Sequence, residues 1–220
     1  MIPELNRYEQ KFPNPRKHTS PEGIVAFGGD LVPSRIMMAY RNGIFPWYSA
    51  GDPILWWCPN PRLILKLEDF KLRKSLKKKL DKFEIRIDTN FENVVRRCGS
   101  IFRAEQNGSW ILPEMVDAYM DLHALGYAHS IEAYQDNKLV GGLYGIVVGG
   151  VFCGESMFAD VSDASKVAFA YLVEHLMERG FEFIDAQVPT EHLKSLGATE
   201  VSREEFLDRL EENVYKDVFF

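Results

Sequence analysis

The sequence predicts an α+β fold, in which a mixed, mostly antiparallel sheet follows a small, loop-rich N-terminal domain. Strand and helix patterns alternate through the second half of the chain, where a glycine pair also gives a hairpin signal. The first sixty-odd residues are instead rich in proline, glycine and aromatic residues. A length of 220 residues, 46% of them hydrophobic, suits one large domain or a medium domain with a small one attached. We therefore expect a small domain over 1–62 and a larger domain over 63–220.

Helix signals are weak in the first part of the chain, apart from one segment. Residues 33–41 predict a helix, because the segment starts with proline and is closely followed by glycine. A strand is expected at 63–67, and the alternating sequence EIRID at 84–88 predicts another. Asn90 can cap a further helix that runs through Arg97.

The second half of the chain has clearer boundaries. Gly149-Gly150 is a strong signal for a two-residue hairpin, and Asp163 can cap a long helix that Gly180 ends. The predicted strands are 127–134, 139–148, 151–157, 183–188 and 198–201, and the predicted helices are 113–125, 164–179, 191–196 and 203–213. Three hairpin-linked strands, a helix, a strand, a helix and a strand resemble the later part of the GNAT-type acetyltransferase fold. Fold alone does not give function.

Composition and motif spacing exclude several classes of protein. No run of eighteen apolar residues predicts a membrane-spanning helix, and the N-terminus lacks the pattern of a signal peptide. The cysteines are odd in number and far apart, which fits a reducing cytoplasm. No cysteine pair has zinc spacing and no histidines form an HExxH or HxxxH pattern, so we expect no metal site.

A dense basic segment, residues 71–80, interrupts an acidic chain. The net charge of −6 argues mildly against a nucleic-acid partner, yet KLRKSLKKKL holds six basic residues in ten and no acid. We expect a helix here, with Leu72, Leu76 and Leu80 on one apolar stripe. The residues alone leave two interpretations open: an RNA-binding surface, or a lysine-rich face that only confers solubility.

The sequence Asp185-Ala186-Gln187 lies on a predicted strand. Positions two apart on a strand share a face, so the Asp185 carboxylate and the Gln187 amide should project together, while Ala186 points the other way. A change at Ala186 should therefore have little effect. An edge strand with solvated polar residues would give the same pattern.

Tryptophans concentrate in the N-terminal third, with one more near the middle of the chain. Core packing is the favoured interpretation for Trp56 and Trp57, because large aromatic side chains dominate protein cores. Trp47 and Trp110 stand beside proline or serine in predicted loops, where exposed aromatics can stack on bases or side chains.

Several long sequence words together resemble the leucyl/phenylalanyl-tRNA–protein transferase family of bacteria. They occur in matching order from about residue 12 to about residue 206. The words are AFGGDL, FPWY (45–48) with WWCPNPR (56–62), SWI (109–111), AHSIE, LVGGLYG, GESMF (154–158) with SDASK (162–166), and IDAQVPTEHLKSLGA (184–198). Such a series is far more specific than one short motif.

The resemblance implies a GNAT-like acyltransferase domain that moves Leu or Phe, with Met as a further candidate, from aminoacyl-tRNA to an N-terminal Arg or Lys. It implies no cofactor, and a product marked for degradation through its N-terminal residue. The site residues that it implies are Asp185 and Gln187 for catalysis; Trp47, Trp110, Leu172, Leu176 and Met157 for the aminoacyl-adenosine pocket; Glu155 for the basic side chain of the acceptor; and Lys71, Lys74, Lys77 and Lys78 for tRNA phosphates. Asp160, Asp163 and Glu132 are weaker candidates for the role of Glu155. Some family members have aromatics at positions 172 and 176, so the preference between Leu and Phe stays open.

The chemistry of the implied reaction favours positioning over strong base catalysis. An aminoacyl-tRNA is an activated ester, and the attacking α-amine has a pKa of about 7.7–8.0, so much of it is neutral near pH 7. An amide is too weakly basic to be a general base, but Gln187 can accept a hydrogen bond from the amine and orient it. Asp185 can hold the Gln187 amide, and the ribose hydroxyls can relay the proton.

Two other functions fit parts of the pattern. A CoA-dependent N-acetyltransferase would share the fold, but its pyrophosphate loop needs glycines where this chain has ADVSDASK. A non-catalytic tRNA-binding module would keep the basic segment, but it has no need for Asp185, Gln187 and Glu155 around an apolar slot.

Overall fold

The computed structural model describes residues 2–8, 11–100 and 111–220. Within them the strands are β1 Glu4–Leu5, β2 Ile24–Gly28, β3 Phe45–Pro46, β4 Leu55–Trp57, β5 Arg62–Lys66, β6 Glu84–Ile87, β7 Ala128–Gln135, β8 Lys138–Val148, β9 Val151–Ala159, β10 Phe183–Gln187 and β11 Thr199–Val201. The α-helices are α1 Pro33–Arg41, α2 Lys74–Lys77, α3 Phe91–Ser100, α4 Pro113–Ala124, α5 Ala164–Glu178, α6 Glu191–Ser195 and α7 Arg203–Asn213. None of these helices is both long and apolar enough to cross a bilayer.

The larger sheet carries the predicted fold class. Its strand order is β11-β5-β10-β9-β8-β7-β6. Strands β9 and β10 are parallel, and the other neighbouring pairs of this sheet are antiparallel. The α+β class with a mixed, mostly antiparallel sheet is therefore confirmed, as is the GNAT-type order of β7, β8, β9, α5, β10, α6 and β11.

Helices cover both faces of the larger sheet. On one face α5 packs Val167, Phe169 and Leu172 into a cluster with sheet residues that include Leu143 and Phe152. On the other face α3 and α4 contribute Val94 and Tyr119 to a second cluster, which also contains Tyr144 of β8. The site described below lies at the sheet, between these two layers.

A second sheet, in the order β1-β2-β4-β3, occupies the N-terminal part of the chain. Its strands are two to five residues long and are separated by Pro- and Gly-rich turns, so alternation over so few residues gave no strand signal. Val25, Phe45 and Trp56 of this sheet join the same buried cluster as Val94 and Tyr119. The division at residues 62 and 63 stays a prediction.

The hairpin predicted at Gly149-Gly150 joins β8 to β9, and the last pair before the turn is Val148 with Val151. Gly149 has a φ of +53°, and an added Cβ would lie only 2.3 Å from the carbonyl oxygen of Asn213. Glycine is therefore required both by the left-handed backbone and by the close approach of α7.

The helix expected across the basic segment is wrong in its extent. Only Lys74–Lys77 form an α-helical turn, and a separate 3-10 turn follows at Leu80–Lys82. Leu76 is buried but Leu72 is 37% exposed, so the apolar stripe does not form. Closely spaced lysines repel one another along a helix, and the Lys71 N–H is held by a bond to the Leu196 carbonyl instead.

The cap expected from Asp163 is also wrong in its chemistry. Asp163 does precede α5, but it has a φ of 71° and its side chain makes no capping bond. Its carboxylate instead accepts from Lys79 and Lys166. The ion pairs therefore tie the first turn of α5 to the basic segment.

Candidate active site

The parallel strands β9 and β10 separate at the centre of the larger sheet. Their pairing ends at Asp185 with Cys153, although β9 continues to Ala159. Each strand is irregular just beyond this point. Against its other neighbour β9 has an extra residue at Glu155, and β10 has one at Ala186. Such bulges redirect side chains, and here they open a cleft between two strands that began side by side.

Gln187 ends β10 in a left-handed conformation, with a φ of +61°. Its backbone N–H donates to Oδ1 of Asp185 at 3.0 Å. A left-handed backbone costs a non-glycine residue of order 1–3 kcal/mol unless its surroundings impose it. The Asp185 carboxylate therefore helps to fix the backbone from which the Gln187 side chain projects.

The Gln187 amide is held by Glu155 and not by Asp185, which corrects the contact expected from the sequence. Nε2 of Gln187 donates to Oε1 of Glu155 at 2.8 Å. The hydroxyl of Tyr40 donates to the same oxygen at 2.7 Å, and the hydroxyl of Tyr119 donates to Oε2 at 2.7 Å. Because the amide nitrogen faces a carboxylate, the carbonyl oxygen of Gln187 is left to accept from a substrate.

The carboxyl group of Glu155 changes its ionisation state near neutral pH. Burial raises the pKa of this carboxyl to about 7, against the opposing effect of hydrogen bonds from Tyr119, Tyr40 and Gln187. The residue is only 9% exposed. Burial, and then the charge of Glu155, raise the pKa of both tyrosines, which keeps their hydroxyls protonated as donors.

Asp185 forms a buried ion pair with Arg62 on the first residue of β5. Nε donates to Oδ1 at 2.8 Å and Nη2 donates to Oδ2 at 2.6 Å, with both residues about 1% exposed. The guanidinium lies against the rings of Phe45 and Phe206, at 4.9 and 4.3 Å from their centroids. Asp185 is thus turned toward the core, and not toward a substrate.

An apolar cavity of about 370 Å³ opens beside the cleft. Of the predicted pocket residues, Trp47, Met157 and Leu172 line it, and so do Glu155 and Gln187. Trp110 lies outside the described residues.

The structure gives Leu176 and Ala186 surroundings that the sequence did not predict. Leu176 does not line the cavity, because one further turn of α5 carries it into the core, where it is 0% exposed. Ala186 does point away from Asp185, but that face is the cavity wall, so its size should matter. Phe169, one turn before Leu172 on α5, was missed and also lines the cavity. Its i, i+3 spacing from Leu172 was the available signal.

The tryptophans of the N-terminal sheet support one another. Trp56 is 0% exposed and donates from its indole to the Gly28 carbonyl, so the core interpretation is confirmed for it. Trp57 is half-buried, and its indole donates to the Trp47 carbonyl at 2.6 Å. The rings of Trp47 and Trp57 are 5.6 Å apart. Trp57 therefore positions Trp47 at the cavity.

The remaining acidic candidates each have their own partners. Asp160 pairs with Arg97, and Asp163 pairs with the two lysines named above. Glu132 is 0% exposed and accepts from four groups. These donors are Thr89, the backbone of Asn90, Ser130 and Tyr134. These contacts favour structural roles for all three carboxylates.

The predicted tRNA contacts lie on the outside of the molecule. Lys71, Lys74, Lys77 and Lys78 are all exposed. Across the ranges that the structure describes, no three His, Cys, Asp or Glu residues group in a way that could hold a metal ion.

Two family models match the chain. The model for leucyl/phenylalanyl-tRNA protein transferase matches residues 64–211, and the model for its N-terminal domain matches residues 29–60. Among curated proteins, the leucyl/phenylalanyl-tRNA–protein transferase of Sulfurimonas denitrificans is 61% identical over 210 residues, covering 96% of this chain and 92% of its own. The protein of the same name from Hydrogenovibrio crunogenus is 50% identical over 201 residues, covering 90% and 78%.

Solved structures give weaker likenesses. The structure of L-PGS from Bacillus licheniformis has a TM-score of 0.43 and 12% identity, over 61% of this chain and 48% of that one. A GCN5-related N-acetyltransferase from Kribbella flavida has a TM-score of 0.40 and 12% identity, over 75% and 59%. Both scores are too low to support a statement about function.

The buried ion pair generates a first prediction. Arg62→Ala or Asp185→Ala alone should lower the free energy of unfolding by about 3–5 kcal/mol, because each leaves one charge buried without its partner. The double variant should lose much less than the sum of the two. Urea unfolding of the four proteins measures the coupling.

The exposed pair of Lys194 and Glu200, with its atoms 2.6 Å apart, provides the matched control. The same cycle there should show a coupling of about 1 kcal/mol or less. Equal couplings for the two pairs would contradict the structural role given to Arg62 and Asp185.

Proposed function

The chain belongs to the leucyl/phenylalanyl-tRNA–protein transferase family, and we propose that it transfers Leu or Phe from aminoacyl-tRNA to the N-terminal amine of a protein. The observation that carries this proposal is 61% identity to a curated transferase over 96% of the chain. The site adds a physical reason, since an apolar cavity ends at a held amide that can orient an amine. The enzyme is then an aminoacyltransferase.

The donor's aminoacyl side chain enters the apolar cavity. Phe169 and Leu172 of α5 form one wall and Trp47 the other. Transfer of an apolar side chain from water into this cavity is favourable. Transfer of a charged side chain is unfavourable, because the charge would be buried without a partner. Stacking of the terminal adenine on Trp47 and Trp110 stays a prediction.

The acceptor amine approaches Gln187. The amide carbonyl accepts a hydrogen bond from the amine and aims its lone pair at the ester carbonyl carbon. The new C–N bond forms as the bond from that carbon to the ribose 3′ oxygen breaks. The amine proton passes to the leaving oxygen through the neighbouring ribose hydroxyl. Asp185 does not contact the substrate in this proposal, but positions Gln187 through the hydrogen bond to its backbone N–H.

Glu155 has two tasks in this proposal. It fixes the Gln187 amide, and its negative charge attracts the basic side chain of an acceptor that begins with Arg or Lys. An ionised carboxylate has about four acceptor positions, and the contacts above use three of them. One position therefore remains for a guanidinium or ammonium donor.

The finer parts of the proposal rest on the family resemblance. They are the choice of N-terminal Arg or Lys, Met as a further donor, the marking of the product for degradation, action in the cytoplasm, and catalysis without metal, ATP or coenzyme.

A CoA-dependent acetyltransferase fits the site less well. Asp163 places a carboxylate at the first turn of α5, in contact with Lys79 and Lys166. The segment that leads into this helix, ADVSDASK, lacks the glycines of a pyrophosphate-binding loop. A non-catalytic tRNA-binding module would not need the contact between Glu155 and Gln187 beside the cavity.

The deciding experiment mixes purified protein with radiolabelled Leu-tRNA or Phe-tRNA and a model protein that begins with Arg. Label should reach the model protein, and should not reach the same protein beginning with Ala. A requirement for added CoA, or loss of activity with EDTA, would overturn the proposed chemistry. Binding of charged tRNA without transfer would favour the non-catalytic module.

The cavity wall generates a second prediction. Leu172→Phe should lower kcat/KM for Phe-tRNA relative to Leu-tRNA, because the larger ring narrows the slot. One methylene more or less in an apolar pocket is worth about 1–3 kcal/mol. Leu176→Met, deeper on the same helix, should leave the ratio as in the wild type. An unchanged ratio in Leu172→Phe would make Leu172 a core residue only.

Glu155 generates a third prediction, on pH. Its pKa of about 7 lies above the usual 4.5, so its charge and its hold on Gln187 appear as the pH rises through 7. Together with the acceptor amine, which ionises at about 7.7–8.0, this gives kcat/KM two ionisations on the acid side. Glu155→Gln should be slower and should keep only the ionisation of the amine.

The stability of the fold should respond with the opposite sign. A carboxyl whose pKa is raised by folding favours the folded state most fully below about pH 4.5 and loses that contribution as the pH rises through 7. Glu155→Gln should lack this fall in unfolding free energy. Identical pH profiles for the two proteins, in both rate and stability, would contradict the assignment.

The basic segment generates a fourth prediction. Replacing Lys74, Lys77 and Lys78 with Glu should weaken binding of Leu-tRNA and Phe-tRNA about equally. The plot of log affinity against log salt should flatten by roughly one unit for each lost phosphate contact. Filter binding across a salt series measures both. An unchanged slope would leave the segment with its solubility role.

A further inference from the structure

The mouth of the cavity is connected to the basic segment by α6. Thr190, His192 and Leu193, at the start of this helix, line the cavity. The Thr190 hydroxyl accepts from the Leu193 N–H at 3.3 Å and so fixes the helix start. At the other end, the Leu196 carbonyl accepts from the Lys71 N–H at 2.8 Å. A nucleic-acid strand that leaves the cavity across α6 therefore reaches the basic segment directly.

Positive charge from two other elements converges on the same mouth. Lys166 lies in the first turn of α5, three residues before Phe169 of the cavity wall. Arg73 lies two residues after Lys71, whose N–H is bonded to the end of α6. After burial, the charges of Lys166 and Arg73 are the causes that lower the pKa of His192. His192 is therefore neutral at pH 7, where it can still donate one N–H to an anion.

These charges are only partly neutralised by the protein itself. Among the residues that the structure describes, Arg73 is exposed and has no carboxylate within ion-pair distance. Lys166 pairs with Asp163 at 3.0 Å, but Lys79 shares that single carboxylate. Arg73, together with two lysines that share one carboxylate, therefore leaves uncompensated positive charge near the start of α6.

We propose that His192, Lys166 and Arg73 form a phosphate-binding site, here called the mouth cluster, for the phosphodiester that joins the terminal adenosine of the donor to the nucleotide before it. The proposal rests on the transferase function proposed above. With the ester at Gln187 and the adenosine at the cavity mouth, that phosphate is the first anion on the path toward the basic segment. Guanidinium, ammonium and imidazole N–H groups are suitable donors for it.

Three donors of increasing length test the mouth cluster. Phenylalanyl-adenosine has no internucleotide phosphate, phenylalanyl cytidylyl-adenosine has one, and Phe-tRNA has them all. The wild type should use the dinucleotide about tenfold better than the nucleoside, the size of one charged hydrogen bond. Arg73→Ala, Lys166→Ala and His192→Ala should each lower this ratio toward one. His192→Gln, which keeps an N–H donor, should restore part of it.

The ratio separates phosphate binding from general damage. A variant that only disturbs the fold lowers kcat/KM for both small donors together and leaves the ratio unchanged. Lys194→Ala is the matched control, because this lysine is on the same helix but is paired with Glu191 and Glu200. It should keep the wild-type ratio. A ratio of one in the wild type, or a wild-type ratio in all three alanine variants, would overturn the proposal.

Binding measurements distinguish this failure from failure of the proposed function. The dissociation constants of uncharged cytidylyl-adenosine and adenosine, measured by titration calorimetry, should show the same ratio and the same loss without any transfer. Absence of transfer from Phe-tRNA, with the binding ratio intact, would overturn the transferase function and leave the mouth cluster standing.

Discussion

The buried ion pair between Arg62 and Asp185 is the interaction on which the site depends. Two charges removed from water are stable only when each is well paired. Here the pairing is bidentate, two aromatic rings cover the guanidinium, and the carboxylate also accepts from the Gln187 backbone. One contact set thereby joins the N-terminal sheet through Phe45, the larger sheet through β5 and β10, and α7 through Phe206. It also holds Gln187 in a backbone conformation that it would otherwise avoid.

The cleft follows from how β9 and β10 diverge. If the two parallel strands stayed paired, backbone hydrogen bonds would join them at Glu155 and Gln187 and no cleft would form there. The extra residues at Glu155 and Ala186 end that pairing, and the amide of Gln187 then bridges the gap to Glu155. The tyrosines of α1 and α4 hold the same carboxylate from the other layer. The contact between Glu155 and Gln187 is therefore supported from both sheets and two helices.

Local sequence signals predicted those helix ends and turns that are determined by short-range interactions. The bounds of α1 and α7 agree with the sequence patterns, and the hairpin at Gly149 is where its glycines placed it. The errors concern long-range contacts. No local pattern could show that Arg62, which is distant in sequence from Asp185, forms an ion pair with its carboxylate. The side-chain amide of Gln187 consequently bonds to Glu155 and not to Asp185. Strand alternation gave Ala186 the correct face, but only the packing of α5 shows that this face is the cavity wall. The stripe expected across the basic segment failed because repulsion and the bond from Lys71 to Leu196 outweighed a leucine periodicity.

The contacts of α5 connect the cavity to the basic segment. Its inner face supplies Phe169 and Leu172 to the cavity, while its first turn is ion-paired through Asp163 to Lys79 of the basic segment. In the proposed complex with aminoacyl-tRNA, the aminoacyl side chain and the surface phosphates would therefore both contact elements that are fixed to this helix. Catalysis by positioning needs the ester carbonyl held within a fraction of an ångström of the amine, and a flexible tRNA end cannot ensure this by itself. Because the cavity and the basic segment are both held by α5, each proposed phosphate contact would narrow the positions that the ester can take relative to Gln187.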